Sequence, residues 1–582
     1  MPDSAAHGSY PAFDRRFLGS DENFTVIGSG ELGGKATGLA SIKRILAEHC
    51  PPGTFPDVDI SIPTLTVIGT DVFEQFLALN DLHALALSDE PDGHIAHRFQ
   101  RAELPPTIVG DLRALVERSH TPLAIRSSSL LEDALQHPFA GTYATKMIPN
   151  NQPRVDVRFQ RLTEAIKFVW ASTFFRDAKS YMRAIRVPPE RERMAVIIQE
   201  IVGQRLNERF YPTLSGVVRT HNFYPSGPAR PEDGVANLAL GLGKTIVDGG
   251  VCWTYSPAHP RHSAPYGSVA DLLKNSQTRF WAVNMGPPPP YDPINEAEYL
   301  VESGLDDAEW DGVLGPLVST YDAQADRLVM GMGRPGPRVL TFAPLLDLED
   351  VPLNAIIVHL AECCKSALAA DVEIEFAMTL GPGRGLPARF GFLQLRPMLV
   401  SGECVDVAED ELDGPRVLVS SNRVLGNGVR DGLTDVVYVK PGTFEARHTR
   451  AIAQELDILN RRLAEAGRNY VLIGFGRWGS SDPWLGIPVT WPQISAARVI
   501  VEATRPDMNV EASQGTHFFH NMTSFQVAYF TVRHDGRQRI AWPWLDGLPT
   551  ASETDFVRHV QAPGPLHVRV DGRVGRGVIL HA

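Results

Sequence analysis

Cysteine is scarce: five in 582 residues (Cys50, Cys252, Cys363, Cys364, Cys404), an odd number with no CxxC pair. That excludes a disulfide framework and a zinc knuckle and marks most of these side chains as small buried hydrophobes. Long apolar runs are missing too, since no stretch approaches the roughly 20 residues that would cross a bilayer. The first residues, MPDSAAHGSYPAFDRRF, lack the basic segment and apolar core of an export signal, so no membrane partner and a cytoplasmic location are expected. Positive charge is in deficit, with 55 Lys and Arg against 68 Asp and Glu, a formal net charge of −13. This balance opposes non-specific attraction to nucleic acid and leaves room only for a local basic pocket. No fixed-period repeat is present.

What is there is enough for several domains: 43% hydrophobic residues, 21% charged, and many turn formers with 50 glycines and 45 prolines. β-rich runs at 24–27, 122–125, 194–198, 372–376 and 390–395 alternate with helical stretches at 39–47, 111–118 and 161–175, which predicts a mixed α/β (α+β) fold. Residues 286–293 read as a loop, and 401–415, acidic and turn-rich, as a linker. The expected division is a tail at 1–20, a region at 21–400, the linker, and a smaller mixed α/β C-terminal domain at 416–582. In that last part Ile452, Leu456, Leu459 and Leu463 recur at helical spacing before Gly467, a buried stripe ending in a left-handed cap.

Three segments carry chemistry. In the first, the 24–27 run opens into GSGELGGKATGLA, where Gly28, Gly30 and Gly33 satisfy GxGxxG and Lys35 follows a glycine pair. Glycines let backbone N–H groups approach phosphate, and a lysine adds a mobile cation. A Walker loop fails on Ser29 and Ala36; a dinucleotide fingerprint with Asp57 or Asp59, or a plain tight turn capping a helix, remain open. In the second segment, Arg126 stands beside Ser127, Ser128 and Ser129, a fork and three small donors suited to phosphate, with Glu132 and Asp133 just beyond. The alternative is a serine turn and a surface ion pair.

The third segment is VEIEFAMTLGPGRGLPARFGFLQLRP. Alternation places Glu373 and Glu375 on one face of a strand, and Gln394 and Arg396 on one face of the next, with a Gly/Pro loop to join them as a hairpin. Carboxylate and amide oxygens suit a magnesium ion on phosphates, and the arginine suits a transferred phosphoryl group. The alternative is a solvated face with a cross-strand salt bridge.

In this order the segments resemble the N-terminal nucleotide-binding region of the phosphoenolpyruvate synthase and pyruvate phosphate dikinase family. GGKATGLA is similar to its GGKxAxL. AIRSSSLLEDALQHPFAG resembles VRSSATAEDLPxxSFAG, with Arg126, Glu132, Asp133, Phe139, Ala140 and Gly141 in register. VWAS, MAVIIQEIV, SGVVRT, GLGKTIVDGG and FLQLRP follow in family order, so the likeness runs from about Val26 to Pro397. It implies an ATP-grasp-like, two-lobed region with a lobe boundary near 190–200, ATP and Mg²⁺ as cofactors, and phosphotransferase activity.

Carried over by position, Lys35, Arg126 and Arg396 would hold phosphates, Glu375 and Gln394 would ligate Mg²⁺, and Gln199 with the backbone of Glu200 to Val202 would border adenine. Arg126 and Arg396 would also act in catalysis. Lys244 departs from the pattern, standing where the family's GLGE has glutamate. The residues after Arg396 are too few for the family's pyruvate barrel, so a chain without one is expected. The family's phosphorylated histidine has only a slight counterpart in QGTHFFHNM, at His517. The acceptor is then His517, an unknown small molecule near the Arg477 turn (GRWGSSDPW), or a separate protein. That turn reads equally as a packed corner with Trp478 and Trp484 in the core and Arg477 paired to Asp482. A non-catalytic nucleotide sensor or scaffold is the alternative function.

Overall fold

The computed structural model describes residues 10–15, 22–132, 141–185, 187–262, 269–381, 387–400, 405–480, 482, 484–506, 517–534 and 536–581. The chain forms two compact units. The first takes Met1–Thr220, Val235–Thr245 and Val251–Pro397; the second takes His221–Gly234, Ile246–Gly250 and Met398–Ala582.

Among the described residues of the first unit, a five-stranded sheet runs in the order Phe24–Ile27, Leu65–Ile68, Met194–Glu200, Leu123–Ser129, Thr145–Ile148. The helix Gly33–His49 follows the first of these strands and buries Ala36, Leu39, Ile42, Ile45 and Leu46, a stripe at helical spacing. Each large member contributes about 1.5–3 kcal/mol by leaving water. Close approach is enforced at Gly38, where a Cβ would lie 2.9 Å from the Leu395 carbonyl oxygen. The strand read at 122–125 continues through Ser129, because Ser127, Ser128 and Ser129 pair with Val196, Ala195 and Met194. The serines are therefore strand residues and not a turn. The helix read at 161–175 spans Val155–Ser172 and buries Trp170 against Phe73 and Phe76.

A six-stranded sheet in the same unit runs Trp253–Tyr255, Val235–Ala239, Leu214–Arg219, Val372–Thr379, Ala388–Pro397, Val58–Ser61. At its centre is the expected antiparallel hairpin, with Glu373 opposite Arg396 and Glu375 opposite Gln394. The register slips after Glu375, a bulge that pairs Phe376 with Phe392. Val372, Ile374 and Phe376 face a core shared with the helix Gly33–His49. Residues 382–386 of the connecting loop lie outside the described residues.

The second unit is built on a nine-stranded mixed sheet. Its order starts at Val417–Ser421, passes through Arg576–Leu580, Val557–Asp571, Asn427–Val439, Tyr470–Phe475, Ala497–Ala503 and Ala528–Val532, and ends at Val424–Leu425, while the ninth strand, Thr550–Glu553, pairs with Val557–Asp571 off this path. The first and last strands are the two halves of one stretch, separated only by Asn422 and Arg423, so the sheet closes on itself. Leu418, Val424, Val471, Val501, Phe530 and Val568 share its core. The helix Thr449–Glu465 links two parallel strands and buries Ile452, Leu456, Leu459 and Leu463. Gly467, just beyond it, has φ +66°.

Candidate functional site

Arg126 lies on Leu123–Ser129, beside Gln199 on the neighbouring strand, while Glu375, Gln394 and Arg396 project from the hairpin of the other sheet. The structure brings these side chains together. Arg126 donates to Gln199 Oε1 at 3.1 Å, to Gln394 Oε1 at 2.7 Å and to the Leu393 carbonyl at 2.9 Å. Glu375 lies between two guanidinium groups, 3.2 Å from Arg396 and 3.9 Å from Arg126. Gln199 is 2% exposed, and its Nε2 is buried with no hydrogen-bond partner. An unmade bond on a buried donor is costly, and an acceptor on a ligand would remove the cost.

Beneath this cluster lies a layer in which the cross-strand salt bridge is found, but buried and extended to Arg219, which the sequence did not point to. Arg396 pairs with Glu373, and Glu373 pairs in turn with Arg219 on the strand Leu214–Arg219. All three are at most 2% exposed, so the face carrying them is not solvated. Burial pulls the Arg219 guanidinium below its ordinary value, and the Glu373 charge opposes that pull. The one sequence signal for Arg219 was a charge closing the apolar run SGVV. Glu375 differs: its side chain is 14% exposed against 0% for Glu373. Glu375 is therefore the carboxylate able to turn toward a cation, and Glu373 the one that fixes the arginine.

Lys35 stands in a separate hydrogen-bonded group. Its Nζ donates to Glu132 at 2.6 Å and to Ser127 at 3.1 Å, one residue along the strand from Arg126. Ser128 ties the helix start to the strand, donating to the Leu32 carbonyl and accepting from the Ala36 N–H. Arg126 and Arg396 thus converge on Glu375, while Lys35 is held by a buried carboxylate beside them. Asp133, Phe139 and Ala140 lie outside the described residues.

Next to Gln199, Ala124, Ile201, Phe210, Leu242, Val283 and Met285 form a small apolar cluster with Trp281 against it. The Glu200 N–H donates to the Thr64 carbonyl and the Ile201 N–H to that of Pro122, which fixes the path of this segment. The Val202 side chain packs over Gly391, where a Cβ would lie 2.3 Å from it. The Lys244 ammonium sits 5.8 Å from the Trp281 ring centre, so this cation rests on an aromatic face of the same cluster.

As to metal, no group of three His, Cys, Asp or Glu able to hold an ion occurs among the described residues. A magnesium ion carried by nucleotide phosphates needs only one or two protein oxygens. Glu375 and Gln394 lie opposite each other in the hairpin, and an oxygen of each is within 4 Å of Arg126 Nη2, so the two fit that donor set.

In the second unit, Arg477 Nη1 donates to the Gly249 carbonyl at 3.2 Å. Trp478 is buried at 4%, but Trp484 is 73% exposed and so is no part of a packed corner. Asp482 Oδ1 accepts the Trp484 N–H, closing its own turn. Ser481 lies outside the described residues. His517 begins the helix His517–Ser524, and its side chain, like that of His520, lies outside the described residues.

A family model described as the pyruvate phosphate dikinase AMP/ATP-binding domain matches residues 29–413. The chain is 29% identical over 238 residues to a phosphoenolpyruvate synthase of Aeropyrum pernix, covering 38% of this chain and 26% of that protein. It is 26% identical over 238 residues to a rifampicin phosphotransferase of Streptomyces sviceus, covering 38% and 23%. An uncharacterized phosphotransferase of Bacillus subtilis is 25% identical over 194 residues, covering 33% and 21%. The chain thus spans about a quarter of the length of the curated relatives it matches. Among the described residues, no helix is long and apolar enough to cross a membrane.

Proposed function

This chain belongs to the pyruvate phosphate dikinase AMP/ATP-binding domain family, and from that premise we propose that it is an ATP- and Mg²⁺-dependent phosphotransferase. The observation that carries the proposal is the convergence of Arg126, Gln199, Glu375, Gln394 and Arg396 in one hydrogen-bonded cluster. Adenine takes the apolar cluster around Leu242 and Trp281, with its acceptor nitrogens toward Gln199 Nε2. The phosphates replace protein acceptors on Arg126 and Arg396, whose forks suit phosphate oxygens. Lys35, released from Glu132, adds a third cation.

Glu375 and Gln394 would hold Mg²⁺, which when bound neutralises phosphate charge. Glu373 and Arg219 keep Arg396 aimed, so that the rate effect comes from positioning and preset charge rather than from covalent chemistry. The acceptor is a small molecule, a separate protein or His517. Residues 398–582 supply most of the second unit and its closed sheet.

One observation favours a second reading, a sensor that binds nucleotide without turnover. Lys244, a cation at the position where the family motif has glutamate, stacks on Trp281, so that position offers no carboxylate to a metal. A single experiment separates the two. Purified protein with ATP and Mg²⁺ should release AMP or ADP in the presence of candidate acceptors, and Glu375→Ala should abolish most of that release. Product no higher than in the variant, with nucleotide binding intact, would leave the sensor. Acid-labile label from ATP that persists in His517→Ala would exclude that histidine as the sole carrier.

A further inference from the structure

The carboxylate that holds Lys35 has a second buried acid beside it. Glu132, 2% exposed, accepts on Oε1 from Lys35 at 2.6 Å and from the Ser127 hydroxyl at 2.9 Å, and on Oε2 from the Ser129 N–H at 2.9 Å. Glu192, also 2% exposed, follows the one-turn helix Pro189–Arg191 and reaches the hydroxyls of Ser129 and Tyr143. Ser129 therefore stands between the two acids. Glu192 Oε1 is buried with no hydrogen-bond partner. A carboxylate oxygen in that state is costly, and a proton on it removes the charge that makes it so.

The charges facing Glu192 are those of Glu132 and Arg193, and Arg193 is 35% exposed and already pairs with Glu74 at 2.7 Å. Burial pushes Glu192 up to about 7; the Ser129 hydroxyl opposes this, the Glu132 charge adds to it, and the Tyr143 hydroxyl and Arg193 oppose it. Burial, with Glu192 and Glu132 nearby, holds Tyr143 well above its ordinary value, so the phenol stays a donor. While Lys35 is in place, the Glu132 charge is neutralised at contact distance. Drawn away by phosphate, Lys35 leaves that charge uncompensated beside a second buried acid, and like charges in one desolvated space favour a proton on one of them.

Resting on the reading that Lys35 moves to nucleotide phosphate, we propose that Glu192 is a positioning residue acting through Glu132: as phosphate draws the Lys35 ammonium off Glu132, Glu192 Oε1 takes up one proton from solvent. One ion pair breaks, between Lys35 and Glu132, and one forms, between Lys35 and phosphate. The two acids with their cation carry one net negative charge before the step, and the acids alone carry one after it. Binding that takes up a proton weakens as pH rises, so this pair sets the pH range in which Lys35 is available.

The test is calorimetry of the full chain with ATP and Mg²⁺, without acceptor, in HEPES and in Tris, whose ionisation enthalpies differ. At about pH 8 the phosphate groups, which titrate near 6, contribute no proton. Uptake of roughly 0.5–1 proton per ATP bound is expected, and affinity should fall about fivefold to tenfold from about pH 7.5 to 8.5. Glu192→Gln, which mimics the protonated acid, should bind ATP with uptake below about 0.2 proton and a change below about twofold over the same range. A purely structural Glu192 would shift the melting curve and leave the proton count alone. If the variant does not fold, the wild-type comparison of the two buffers decides by itself. ATP bound without proton uptake, or with equal uptake in wild type and variant, overturns the proposal and leaves the phosphotransferase reading standing. No binding of ATP overturns that reading, and the proposal with it.

Discussion

Glu373 and Glu375, two residues apart on one face, have different duties, and this can be measured. Glu373 is fully buried between Arg219 and Arg396. Removing its charge takes from Arg219 its buried carboxylate and leaves Arg396 with Glu375 alone, so Glu373→Gln is expected to destabilise the protein by about 3–5 kcal/mol in chemical denaturation. Glu375→Gln should change stability by less than about 1 kcal/mol and should instead cut ATP turnover. Equal destabilisation by the two would refute the division. Glu502 gives a pH signature. Its carboxyl moves from 4.5 to about 7 on folding, so the folded chain holds an extra proton between those values. Stability therefore falls as pH rises through that window and levels off above it, by on the order of 3 kcal/mol for this group. Glu192, also raised to about 7 chiefly by burial, slopes the same way. The difference between wild type and Glu502→Gln in melting temperature from pH 4.5 to 8 isolates Glu502, and no difference in slope would refute the assignment.

Single elements show why the glycine-rich opening is not merely permissive. Gly33 starts the helix Gly33–His49 at φ +77°, and a Cβ there would meet the Ser128 carbonyl at 1.9 Å. Gly33→Ala is thus expected to cost roughly 3–5 kcal/mol and to shift Lys35 away from Ser127 and Glu132. Gly93, inside the helix Asp92–Arg101 with nothing near its missing Cβ, is the control: Gly93→Ala should be neutral or stabilising by up to about 1 kcal/mol. If denaturation curves place the two variants together, the close approach at Gly33 is not what requires glycine.

The same elements mark what can be read from sequence. Alternation alone located the hairpin of Glu375 and Gln394 because a period of two is a local signal. The pairing of Arg219 with Glu373 was not legible, since the two strands meet only through the sheet and no spacing relates them. The extension of the strand through Ser129 was hidden for another reason. Serines favour turns unless their hydroxyls find partners, and here Glu132, Leu32 and Lys35 supply them.

Across the whole molecule, composition explains little of the organisation. A net charge of −13 says nothing of Arg126 and Arg396, which are held among carboxylates and amides rather than in a positive field. Shifts in composition divide a chain only in order, whereas the second unit takes in 221–234 and 246–250, whose Tyr224 and Gly249 line one of its cavities. The closed sheet of that unit has a consequence in time. Val417–Ser421, the earliest of its strands to be synthesised, takes Arg576–Leu580, the latest, as its partner. The ring therefore stays open on the ribosome until residue 580 has emerged. Until then both neighbouring edges are exposed to other nascent chains, and pairing across so long a span makes closure slow.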